Sequence, residues 1–338
     1  MLLAVLNPGG RDPRQQFSDG AGVPGAPGHP PVNFHAYAAC TSGSFHRTDE
    51  TIPADCPNVL VMVRHDIGSA RQALLELRRT KKAVAISLKE SGAHQIAALL
   101  AKPARLKAFR ELCDRAAGAV ASTPDASMLY RGFGVRRVEY IPTPYPVEDP
   151  RWDFSVPVEE RRGIWIGTRE FHVPSRNHLA ALLALRPLAE GMGEPVTVCN
   201  ADGWTGRRLL RQLRFPEGTL RVIEGRLPYA AYLREMARHR IVFQLDASAV
   251  PGQVAGDALL CRVPCVGGDG AVERLAWADT CGHGRDTEGL FDMAARLLEH
   301  PHDCTSIVER AMERARVQLS FSAAARALEN FYRPLLPE

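Results

Sequence analysis

Residues 248–253 (SAVPGQ) have the makings of a seat for a phosphate-bearing ligand. Ser248, Val250 and Gly252, with a proline between them, let the main chain pass close to a ligand. A helix predicted to begin at Gln253 points its unpaired amino-end N–H groups at that loop. Other groups able to do chemistry stand in comparable places. His65 and Asp66 follow the apolar run 58–64, and Lys89 and Glu90 follow the run 83–88. Both pairs fall where an open α/β sheet keeps its ligands, at the carboxyl ends of strands. With His94, these side chains could serve as general acids and bases. His35 lies on a short predicted helix (32–40) after a Gly- and Pro-rich loop (11–31), placed so that the loop could close over a bound molecule. His283 near Cys281 and His302 near Cys304 are isolated pairs, whereas zinc sites need fuller ligand sets, so no metal is expected.

The elements that must position these groups form a βα series. Apolar runs at 2–6, 58–64, 83–88, 117–122 and 137–141 read as buried parallel strands, with helices at 69–82, 93–100, 103–116 and 124–131 between them. The stretch 41–57 reads as polar loop. Four prolines at 142–150 rule out an uninterrupted helix or central strand and mark a boundary. A second series follows, with strands at 163–167, 195–199, 220–223, 241–245 and 263–266. Its helices fall at 178–189, 205–213, 229–238, 253–260, 289–299 and 306–332. The sequence thus predicts two Rossmann-like halves joined by a proline-rich hinge.

At 338 residues the chain is long enough for two cores, and 45% hydrophobic with 24% charged residues is a globular balance. No apolar run approaches the roughly 20 residues of a membrane span. The opening MLLAVLNPGG lacks a basic leader and reads as a first strand. A net charge of +4, spread along the chain, gives no support to nucleic-acid binding and is compatible with peripheral membrane contact. Eight cysteines contain no CxxC pair and several sit in apolar runs, which fits a reducing, cytoplasmic location.

The second half resembles the donor-binding domain of the retaining GT-B glycosyltransferases, the large group that includes sucrose-phosphate synthases. Its signature, S-E-G-F-G, four residues, E-A-x-A-x-G-x-P, aligns without a gap when Val263-Pro264 are placed on the final x-P. Ser248 then falls on the serine, Ala249 on the first glutamate, Gly252 on the loop glycine and Asp257 on the second glutamate. Gly167-Thr168-Arg169 with Arg176-Asn177 is similar to the family's G-R loop and K-N pair. Glu224-Gly225-Arg226-Leu227 looks like its nucleobase turn, and Phe321 to Tyr332 is similar to its closing helix. In the first half only the general pattern matches, chiefly the first strand running into Gly9-Gly10.

The resemblance implies an α/β GT-B fold, two Rossmann-like domains facing each other across a cleft. The acceptor domain would be 1–145, the nucleotide-sugar domain 146–320, and 321–338 a terminal helix returning to the first domain. It implies transfer of a sugar from a nucleotide-sugar donor to a glycan or small-molecule acceptor, with retention, without cofactor or metal. Arg169 and Arg176 would meet the diphosphate, with His65 and Asp66 beside the reaction. Donor contacts would come from Gly9, Gly10, Thr168, Asn177, Arg226, Leu227, Ser248, Val250, Gly252, Gln253 and Asp257, and acceptor contacts from His35, Lys89 and Glu90. Two other readings stand beside this one. Ala249, in place of a carboxylate, suits a catalytically silent nucleotide or glycan binder. His65, Asp66, Glu90 and His94 would suit an epimerase of the same fold.

Overall fold

The computed structural model describes residues 1–167, 171 and 173–335. Thr168 and Arg169, two of the residues expected to meet a diphosphate, lie outside the described residues. The chain divides into two compact units. One is formed by Met1–Asp149, Ala249–Pro251 and the segment from Val317, the other by Pro150–Ser248 and Gly252–Arg316.

The first unit is built on strands β1 (Leu3–Leu6), β2 (Gln15–Gln16), β3 (Ser44–His46), β4 (Asn58–Val63), β5 (Ala83–Leu88), β6 (Gly118–Ala121) and β7 (Val138–Tyr140). They form one sheet in the order β2-β3-β1-β4-β5-β6-β7, parallel except for β2. Strands buried on both faces must be apolar throughout, and alternation then sorts them between two cores. Val59, Val61 and Val63 pack with Leu74 and Phe109 from the helices Ile67–Arg79 and Pro103–Arg115. Leu60 and Met62 face the other way, onto Tyr37 and the last helix, Phe321–Tyr332, whose Leu328, Phe331 and Tyr332 belong to that second core. Tyr332 donates its hydroxyl to the Val59 carbonyl at 2.9 Å.

Three features of this unit differ from the sequence reading. β3 runs through the stretch expected as loop, because Ser44 and His46 disguise it. Their side chains are buried but satisfied, Ser44 Oγ lying 2.7 Å from His46 Nε2 and Thr51 Oγ1 2.9 Å from His46 Nδ1. Loop 11–31 is tied at both ends of a side chain: Gln15 donates to the His29 carbonyl and accepts from its N–H at 2.7 Å. The helical stretch 306–332 is two helices, Pro301–Gln318, mostly in the second unit, and Phe321–Tyr332, which starts where the terminal helix was expected and is capped by Ser320 accepting from Ala323 N–H.

The second unit carries β8 (Ile164–Ile166), β9 (Val196–Asn200), β10 (Leu220–Glu224), β11 (Ile241–Gln244) and β12 (Cys265–Gly267), all parallel, in the order β10-β9-β8-β11-β12. One face packs Ile164, Val198 and Phe243 against Leu182 and Leu185 of helix His178–Met192 and Leu297 of helix Thr287–Glu299. The short helix Ala271–Ala276, which the sequence reading missed, follows β12.

Candidate functional site

The carboxyl ends of β8, β11 and β12 meet around the amino end of helix Gln253–Cys261, and glycines make the meeting close. A Cβ on Gly167, which follows β8, would lie 2.6 Å from Val254 Cγ1 in the helix's first turn. Gly252 is the N-cap at φ +89°, and a Cβ there would stand 2.0 Å from Glu273 Oε2. Gly267 at φ +82° lies against the Gln244 carbonyl in the same way. The helix has no side-chain cap and no acidic residue in its first turn, so its amino end keeps its positive character.

Polar side chains converge on this junction. Asp246, buried just beyond β11, accepts from Arg176 Nη1 at 2.7 Å through one oxygen. Its other oxygen accepts from Ser248 N–H at 2.9 Å and from the Ser248 hydroxyl. Asn177 adopts the left-handed conformation at φ +49° and donates to the Leu245 carbonyl at 2.9 Å. Arg176, Asn177, Ser248, Gly252 and Gln253, widely spaced in sequence, are therefore gathered here, with Val250 half-buried in the connecting loop. Ala249 takes a positive φ of 49° in that loop.

Glu273 is the acid that sequence reasoning missed. It is 2% exposed, and Gln244 Nε2 donates to its Oε1 at 2.9 Å. Among the described residues its Oε2 has no hydrogen-bond partner. Burial, reinforced by the negative field of Asp246, pushes its carboxyl up to about 8, so it is mainly neutral at pH 7. The signal in the sequence was faint: a lone glutamate between Ala271, Val272 and Ala276 in a helix too short to show a period.

Asp257 sits one turn inside the helix, 1% exposed, and accepts from the Tyr229 hydroxyl at 2.5 Å. It links helix Tyr229–Met236 to helix Gln253–Cys261. Arg226 is exposed and Leu227 half-buried on the loop after the edge strand β10, two strands away from β8 in the sheet order.

In the first unit, Gly9 and Gly10, His65 and Asp66, and Lys89 and Glu90 follow β1, β4 and β5, three adjacent strands. Gly10 N–H closes a turn onto the Asn7 carbonyl at 3.0 Å, with Pro8 at its second position and Gly9 at φ +69° supplying the positive φ that a type II turn needs at its third. Asp66 caps helix Ile67–Arg79: it accepts from Ser69 N–H at 3.2 Å and from the Ser69 hydroxyl at 2.5 Å, and these bonds lower its carboxyl. His65 and His94 are exposed, and Lys89 pairs with Glu90 at 3.3 Å. His35 is not offered to an acceptor. Its ring is buried, stacked between His29 at 3.7 Å and Phe45 at 3.8 Å, and burial drives its pKa down to about 3. The apolar periodicity of the sequence around it signalled this core role.

Among the described residues, no three His, Cys, Asp or Glu side chains converge to hold a metal ion, and no helix is long and apolar enough to cross a membrane. All eight cysteines are free.

No family model and no curated protein matches the sequence. Solved structures do match the fold. HepE of Anabaena, solved in complex with UDP-glucose, is 14% identical over 81% of this chain and 78% of its own, with a TM-score of 0.59. The α,α-trehalose 6-phosphate synthase of Burkholderia multivorans is 11% identical over 85% and 73%, with a TM-score of 0.66. The pneumococcal O-GlcNAc transferase GtfA, solved with UDP and GlcNAc, is 9% identical over 83% of this chain and 57% of its own, at 0.58. Two units of mostly parallel sheet with helices, matched over 81–85% of the chain by these structures at identities that speak only to architecture, give this chain the GT-B fold.

Proposed function

We propose that this protein is a glycosyltransferase that uses a nucleotide-sugar donor, retains the anomeric configuration and needs no metal. The observation that carries this reading is the junction at the amino end of helix Gln253–Cys261. Two glycine-bearing strand ends, an uncapped helix amino end that begins at Gly252, and Arg176 converge there as a diphosphate seat would require. Loss of the sugar leaves negative charge on the terminal phosphate oxygen. Helix N–H groups and the Arg176 guanidinium, exchanging Asp246 for phosphate, would stabilise that charge as it develops. In the proposed transfer, the bond from the anomeric carbon to phosphate oxygen breaks with its electron pair going to phosphate. The acceptor hydroxyl bonds to that carbon on the same face and gives its proton to the departing phosphate oxygen. No protein nucleophile takes part.

Asp257 would reach the ribose hydroxyls only if Tyr229 yields its hydrogen bond, because an aspartate is one methylene shorter than glutamate. Lys89, Glu90 and His65 are the acceptor-side groups of this reading, and the reaction places the protein where nucleotide sugars are made, in the cytoplasm. A second reading, a catalytically silent nucleotide or glycan binder, is favoured by Ala249, which supplies no carboxylate for the donor sugar. The epimerase reading weakens because Asp66 is engaged as a helix cap. Free nucleotide released from UDP-glucose and related donors, with and without candidate sugar and sugar-phosphate acceptors, separates the two. A transferase gives acceptor-dependent release that falls about a hundredfold in Arg176→Ala; a binder gives none in either protein.

A further inference from the structure

Helix Gly203–Gln212 and the edge strand β10 enclose a groove of about 420 Å³ that shares no residue with the junction at helix Gln253–Cys261 and ends at Glu224, the first residue of the expected nucleobase turn. One wall is Arg207, Leu210 and Arg211, residues i, i+3 and i+4 of the helix, with Arg214 just past its end, and the other includes Leu220 and Val222, alternate residues of β10. The floor is thus apolar, and the rim carries Arg207, Arg211 and Arg214 beside the carboxylates Glu217 and Glu224. No acidic residue occurs from Gly203 to Phe215, and Arg207, Arg208, Arg211 and Arg214 are all exposed. Arg207 lies 3.5 Å from Glu224, but among the described residues no carboxylate is in ion-pair distance of Arg208, Arg211 or Arg214.

Trp204 opens the same helix with 61% of its surface exposed, whereas Trp152, Trp165 and Trp277 are at most 2% exposed. The Arg208 guanidinium lies over the Trp204 ring, 5.6 Å from its centroid. An indole held at the surface among arginines is the amphipathic pairing that favours the headgroup level of a membrane, where the ring is half-solvated and the cations meet phosphate. A second copy of the chain is a poor occupant, since a self-complementary contact would bring this cationic patch against itself.

We propose that this face docks the protein on a membrane surface rich in anionic phospholipid. Trp204 enters the headgroup boundary, Arg208, Arg211 and Arg214 hold lipid phosphates, and the floor of the groove receives the glycerol end of one lipid. The inference does not depend on the donor-site reading.

Co-flotation of the full chain with phosphatidylcholine vesicles, with and without about a third phosphatidylglycerol, tests it. The expected result is binding to the acidic vesicles alone, with a blue shift of tryptophan emission. Arg208→Glu with Arg211→Glu should lose about tenfold or more in affinity at unchanged Tm, since each arginine near the surface counts for about fivefold. Trp204→Ala should lose the emission shift. Lys107→Glu with Arg110→Glu, the same charge change on exposed residues of helix Pro103–Arg115, should bind as the parent does. Failure to bind acidic vesicles would overturn the proposal. So would undiminished binding by the Arg208/Arg211 variant, or an equal loss in the Lys107/Arg110 control.

Discussion

Glu273 carries a carboxyl oxygen without a hydrogen-bond partner among the described residues into close contact with Gly252, the glycine that starts the loop-to-helix turn. A carboxyl at about 8 when folded and 4.5 when unfolded favours the folded state fully only below about pH 4.5. That stability is lost as pH rises through about 8, where the buried group must ionise. Glu273→Gln, which keeps the bond to Gln244 and cannot ionise, should therefore flatten the fall in Tm between pH 5 and pH 9. A variant whose Tm falls as steeply as the parent's would show that Glu273 does not titrate there. Gly252→Ala meets both a positive φ and the Glu273 oxygen, so it should destabilise by about 1–3 kcal/mol in chemical denaturation. His35 has the opposite sign. Buried neutral, with its pKa depressed to about 3, it opposes folding as pH drops below about 6.5, joined by His46 and His178 at about 4. His35→Phe should shift the acid-unfolding midpoint to lower pH.

Among the elements, helix Ile67–Arg79 separates structural from chemical use of one carboxylate. Asp66→Ala should cost about 1 kcal/mol of stability and Asp66→Asn almost none, because the asparagine oxygen can still accept from Ser69. If Asp66 acted as an acid or base, Asp66→Asn would instead be the damaging change for activity. The legibility of the elements follows the same physics. Strands buried on both faces, such as Asn58–Val63, announce themselves as unbroken apolar runs. β3 did not, because its polar residues satisfy one another in the interior, a tertiary fact invisible to local pattern. Helix Ala271–Ala276 is shorter than two turns and gives no period. The loop after β11 was readable because proline and glycine fix its chemistry locally. The partners of that loop were not: Glu273 reaches Gln244 across 29 positions and Arg176 reaches Asp246 across 70.

At the scale of the whole molecule, two sheets each gather their polar groups at the carboxyl ends of their strands, and the second does so around the helix amino end that we propose as the seat of a diphosphate. That seat is the central claim, and ligand-induced stabilisation of the full chain tests it most directly. A nucleoside diphosphate that binds only the folded state adds about 2.7 kcal/mol at a hundred times its Kd and raises Tm accordingly. Melting curves with UDP, GDP, ADP and their glucose conjugates should show at least one such rise, and Arg176→Ala, whose ligand-free Tm is lowered by loss of the Asp246 pair, should show no rise above its own ligand-free value. If no nucleotide shifts the parent, or Arg176→Ala responds as fully as the parent does, the proposed diphosphate seat is contradicted.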